Sequence, residues 1–112
     1  MIRIKRIYDP PASEDGRRVL VDRLWPRGVA KDAARLDDWL KEIAPSDELR
    51  KWFGHDPAKW EEFRGRYRTE LQSHAETLAT LRAAAKKGTI TLLYAAKDEE
   101  HNNAVVLKEL LD

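Results

Sequence analysis

The chain has 112 residues, 42 % of them hydrophobic, enough for one core and too few for two, so a single domain over 1–112 is expected. It contains no cysteine, which excludes disulfide scaffolding, thiolate catalysis and Cys-type zinc sites. The net charge of +1 argues against a chain-wide field for nucleic acid, but residues 1–31 hold eight Lys and Arg against four acids, a local excess that suits an anionic ligand.

Ile2, Ile4 and Ile7 alternate with charged residues and predict a half-buried first strand. The opening lacks the apolar core of a signal peptide, and no segment is long and apolar enough to span a bilayer. A cytoplasmic location and no membrane contact are expected. Asp9-Pro10-Pro11 through Asp15-Gly16 is a loop, because paired prolines and an Asp-Gly step leave no room for helix. Arg18–Leu24 reads as a second strand, and its Val-Leu-Val run suggests a central position covered on both faces. Trp25-Pro26-Arg27-Gly28 ends it: Pro26 holds Trp25 extended, and Gly28 permits a tight turn.

Leu36, Trp39, Leu40 and Ile43 fall at helical spacing and predict a helix closed by Pro45. Ser46 then caps a short helix with Asp47 and Glu48 at its positive end and Gly54 at its C-terminus. Asp56 with Pro57 starts the next helix, whose apolar stripe runs from Trp60 to Ala85. A straight helix over 57–86 would be about 45 Å long, so a break is expected near Gln72-Ser73, where Ser73-His74-Ala75-Glu76 resembles a capping box. Thr89–Ala96 is the clearest strand. A last helix is expected over Glu99–Leu111, with Asp98 as its N-cap.

Strand, strand, helices, strand, helix predicts an α/β fold of Rossmann-like order: a small three-stranded, mainly parallel sheet flanked by about five helices. The relation of the first strand to the second stays open, since their loop is short for a crossover and long for a hairpin. In such sheets ligands bind beyond the carboxyl ends of the strands, which selects Asp22–Gly28 and Lys97–Asn103. Arg23 and Arg27 offer planar donor forks for phosphate or carboxylate, Lys97 adds a point charge, and Trp25 can wall or stack. His101 can serve as general acid or base, oriented by Asp98 or Asp22. Asn102 and the free backbone N–H groups of residues 99–102 add a seat for an anion.

Structural readings compete with these. Arg23 can be an ion-pair partner of Asp22 or Asp38, Asp98 a plain cap and His101 an ordinary first-turn residue. His74 on an apolar stripe reads as core. His55, His74 and His101 lack metal-site spacing, and no glycine-rich phosphate loop occurs, so neither metal nor cofactor is expected.

Val21-Asp22-Arg23-Leu24-Trp25-Pro26-Arg27-Gly28, Trp52-Phe53-Gly54-His55-Asp56-Pro57, and Leu92 through Asp98 with His101-Asn102 together resemble the YeaO-like proteins of the family called domain of unknown function 488. The resemblance spans nearly the whole chain. It implies a compact bacterial α/β protein and implies no activity. Wider relatives tend to carry a cysteine and a Cys-His-Arg step where this chain has Tyr94 and Asn102-Asn103-Ala104, so thiol chemistry does not transfer, whereas Lys97, Asp98 and His101 match. The expectation is thus a pocket for an anionic small molecule, with possible turnover of a phosphorylated or nucleotide-like substrate by His101 and Asp98. The alternative is a non-catalytic module that contacts nucleic acid or protein through the basic N-terminal third. A monomer or weak homo-oligomer is expected.

Overall fold

The computed structural model describes all residues, 1–112. In chain order the elements are β1 (Ile2–Arg6), β2 (Arg17–Leu20), α1 (Lys31–Ala34), β3 (Asp38–Trp39), α2 (Asp47–Phe53), α3 (Trp60–Leu71), α4 (Ala75–Lys87), β4 (Ile90–Tyr94) and α5 (Asn103–Leu111). The sheet has four strands rather than three, in the order β1-β4-β2-β3, and every neighbouring pair is parallel. This resolves the relation of the first two strands: they flank β4 on opposite sides, which inserts between them in register with both (Ile4 and Val19 each opposite Leu92). β4 is central and its five residues are all buried.

The sheet has two unequal faces. One presents Ile2, Val19, Val21, Ile90, Leu92 and Tyr94 to a core completed by Phe53, Phe63, Tyr67, Leu71, Leu78, Leu81, Val106 and Leu107 from the helices. Each such side chain contributes roughly 1.5–3 kcal/mol of burial before entropy. The other face holds Ile7, Leu20, Ala34 and Leu93, against which Trp25, Leu36 and Trp39 pack. Val19, Leu20 and Val21 are all fully buried, as expected of a strand covered on both sides.

The helix expected at Leu36–Ile43 does not form. α1 stops at Ala34, and residues 38–39 add the edge strand β3, fixed by Asp37 N–H donating to Arg18 O and Leu40 N–H to Leu20 O. Leu36 and Trp39 pack under one sheet face, while Leu40 and Ile43 join the core on the other. The spacing of four apolar residues mimicked a helix, but it serves a chain that wraps the sheet edge, where neighbouring side chains point to opposite faces.

The break in the long helical stretch falls where length demands it. α3 and α4 are separated by a 3-10 turn at Gln72–His74, and the molecule is 35 Å in its longest dimension. Ser73 does not cap α4; its hydroxyl donates to Glu70 O. His74 is half-buried at the bend and makes no hydrogen bond through its ring, so it is not the satisfied core histidine expected. Ser46 and Asp56 cap as anticipated, accepting from Leu49 N–H and Ala58 N–H. No helix is long and apolar enough to cross a membrane.

Candidate functional site

The Trp25-Pro26-Arg27 turn follows β2, and the segment leading into α5 follows β4. Because β2 and β4 are parallel neighbours, the two segments emerge at the same end of the sheet. Between them lies a cavity of about 470 Å³, within the range of small-molecule sites. Arg23, Trp25, Arg27, His101 and Asn102 all line it. Lys97 and Asp98 do not.

Arg23 is half-buried and carries no carboxylate partner. Its Nε donates to Pro45 O at 3.1 Å and its Nη2 to Ala44 O at 3.1 Å. The ion pairs expected for it do not form: Asp38 pairs with Arg17, and Asp22 accepts from Ala95 N–H at 2.9 Å and from Asn103 Nδ2 at 3.2 Å. Arg27 is exposed, and its guanidinium has no partner within the chain, whereas its carbonyl accepts from the Tyr8 hydroxyl at 2.9 Å. Trp25 is held by its Nε1 donating to Val29 O at 2.8 Å and by an edge-on contact with Trp39 at 5.4 Å between centroids.

The connection from β4 to α5 is built differently from the sequence expectation. α5 begins at Asn103, and Asn102, not Asp98, is its N-cap. Asn102 is buried; its Oδ1 accepts from Val105 N–H, and its Nδ2 donates to Asp98 O. Its amide is thus spent on the fold. Asp98 forms a separate turn, with Oδ1 accepting from the N–H groups of Glu100 and His101 and Oδ2 lying 2.9 Å from His101 Nδ1. The Glu100 N–H, the His101 ring and the His101 N–H together hold the Asp98 carboxyl below its ordinary range. Two backbone donors expected to seat an anion are therefore already occupied. His101 is fixed through Nδ1, and its ring stands edge-on to Trp60 at 5.2 Å; its Nε2 has no partner within the chain.

The far wall was not anticipated from the sequence. Arg50, Phe53 and His55 come from α2 and the turn after it, Phe63 from α3, and Tyr8 from the loop after β1. Gly54 and His55 both have positive φ, 53° and 57°. Glycine takes that region at no steric cost, but a histidine in it is uncommon and worth weighing as functional. The signal lies in Phe53-Gly54-His55-Asp56-Pro57, where the glycine not only stops the helix but lets the chain turn His55 toward the cavity.

Asp22, half-buried, sits among these cations. Burial pushes its carboxyl above the ordinary value, while Ala95 N–H, the Asn103 amide, His55 and Arg50 pull it part of the way back. Three arginines, two histidines, one carboxylate and an apolar wall of Leu24, Phe53 and Phe63 can receive an anion attached to a larger body. No group of three or more metal-ligating side chains converges anywhere in the chain.

Residues 1–112 match a family model described as the inactive DUF488-N3 subclade. The chain is 48 % identical over 110 residues to the uncharacterized protein YeaO of Escherichia coli K12, covering 98 % of this chain and 96 % of that one. It is 41 % identical over 111 residues to the uncharacterized protein Rv3073c of Mycobacterium tuberculosis, covering 99 % and 93 %. No solved structure matches it. With a family model spanning its full length and a relative nearly half identical from end to end, this chain belongs to the DUF488 family as a YeaO-like protein.

Proposed function

We propose that the cavity beyond β2 and β4 binds a small anionic molecule carrying a phosphate or similar group, and that the protein acts through binding it. The observation that carries this reading is the pair Arg23 and Arg27: both line the cavity, and neither has a carboxylate within 4.0 Å. Arg27 offers a whole guanidinium fork to an external anion, and Arg23, with Nε and Nη2 given to the carbonyls of Pro45 and Ala44, keeps Nη1 for it. Arg50 adds a third fork, shared with Asp47 at 3.3 Å on the surface. Two of the three large apolar side chains that stand exposed, Tyr8 and Leu24, also line this cavity, which suits a ligand with more than a charged group to bury.

The His101–Asp98 pair fits either proton transfer or a hydrogen bond to the ligand. The description of the matching family model as inactive favours the second. The rival reading, a nucleic-acid surface on the basic N-terminal third, is weakened by how those cations are used. Lys5 and Arg18 are both committed to Asp15, and Arg17 to Asp38.

A thermal-shift series with inorganic phosphate and pyrophosphate at low ionic strength tests the proposal. A ligand at a hundred times its dissociation constant adds about 2.7 kcal/mol of stability, and the shift should vanish in Arg27→Ala. An undiminished shift in that variant, or none in the parent protein, counts against it.

A further inference from the structure

The cavity is graded. Arg27, Arg50 and His55 are exposed at its mouth, while Asp22 and Asn103 are half-buried at the strand ends, next to the fully buried Val21. An inorganic anion alone suits only the mouth. Its volume leaves most of 470 Å³ empty, and a carboxylate at the floor repels it.

Asp22 also has acceptor capacity to spare. One oxygen takes the Ala95 N–H and the other the Asn103 amide, whereas an ionised carboxylate offers about four lone-pair sites. A ligand that reaches the floor has to bring hydrogen-bond donors, because a desolvated carboxylate left half-satisfied is costly. An ammonium group is a poor candidate in a cavity with three arginines. Neutral hydroxyl groups meet the need. The apolar lining, above all the exposed Tyr8 and Leu24 with Trp25 beside them, gives carbon–hydrogen faces a surface to cover.

Resting on the anion-binding reading above, we infer that the ligand belongs to the hydroxylated phosphate esters, the sugar-phosphate class: its phosphate sits at the mouth on Arg27, within reach of the half-buried Arg23, and its hydroxyls donate to Asp22 at the floor. Asp22, held in place by the Asn103 amide, is then the residue that sets ligand specificity, and the arginines set affinity for the charge.

Calorimetric titrations with ribose 5-phosphate and with butyl phosphate, which has a comparable reach and no hydroxyls, test this. Ribose 5-phosphate should bind at least tenfold tighter to the parent protein. In Asp22→Asn the ratio of the two affinities should collapse to about twofold or less. Should that variant fail to fold, Asp22→Ser gives the same reading. Equal affinity for the two esters in the parent protein overturns the sugar-phosphate assignment and leaves the anion reading standing, as does an advantage that survives loss of the Asp22 carboxylate. If neither ester binds and inorganic phosphate does not bind either, both readings are overturned.

Discussion

Two aspartates flank β2 at equal distance, Asp15 two residues before Arg17 and Asp22 two residues after Leu20, and their surroundings are opposite in kind. Asp15 is closed off at 1 % exposure and satisfied by charge: Lys5 and Arg18 pair with it, and Ala12 N–H donates to it at 3.0 Å. Burial pushes its carboxyl up, but Ala12, Lys5 and Arg18 outweigh this and hold it below the ordinary range. Asp22 receives two neutral donors, opens onto a cavity and stays above the ordinary range. The contrast separates a carboxylate finished by the fold from one left unfinished. Unfinished polar groups in cavities are where a ligand is expected to complete the structure.

The comparison breaks most visibly at Asp15. Asp15→Ala strands Arg18, itself 4 % exposed, and Lys5 without a counter-charge. It should cost about 3–5 kcal/mol in urea unfolding; a loss below about 1 kcal/mol would mean the buried network is not what fixes the loop onto the sheet. Next in size is Arg27→Ala. Phosphate-ester binding should weaken by about 2–4 kcal/mol, while unfolding stability stays within about 0.5 kcal/mol because the side chain has no partner within the chain.

Asp22→Asn should be mild for the fold, about 1 kcal/mol or less in the same unfolding assay, since relief of charge desolvation offsets the weaker hydrogen bonds. The smallest effect is in pH dependence, where the two aspartates have opposite signs. Asp15, lowered on folding, contributes stability above its ordinary value of 3.8 that is lost as pH falls through its folded value. Asp22, raised on folding, contributes stability that is full below 3.8 and lost as pH rises through its folded value. Acidification from neutrality should therefore first stabilise slightly and then destabilise. Asp22→Asn removes the early gain and leaves the later loss, as pH-resolved denaturant midpoints can show.

Much of the fold was legible because its signals are local. The uncharged, β-rich β4, the caps at Ser46 and Asp56, and the limit on helix length each follow from a few adjacent residues. The sheet edge was not legible, since Leu36 to Ile43 satisfies helical spacing while serving two faces of a sheet that only distant residues define. The start of α5 was misplaced for a related reason. Asp98 and Asn102 are both capable caps four residues apart, and Asp98 is drawn into its own turn by His101. Half of the cavity followed from the rule that parallel strands deliver their trailing loops to one end. The other half, Arg50 to His55, depends on how α2 packs against α3 and could not be read from periodicity.

The most direct test is an amide chemical-shift titration of the isotopically labelled protein with ribose 5-phosphate at low ionic strength. Saturable shifts concentrated at residues 22–25, 27–28, 50–55, 95–96 and 101–103 are the predicted result. Shifts that are absent, or that track the exposed basic end of α4 at Lys86 and Lys87 instead, would contradict a ligand site at the carboxyl end of the sheet.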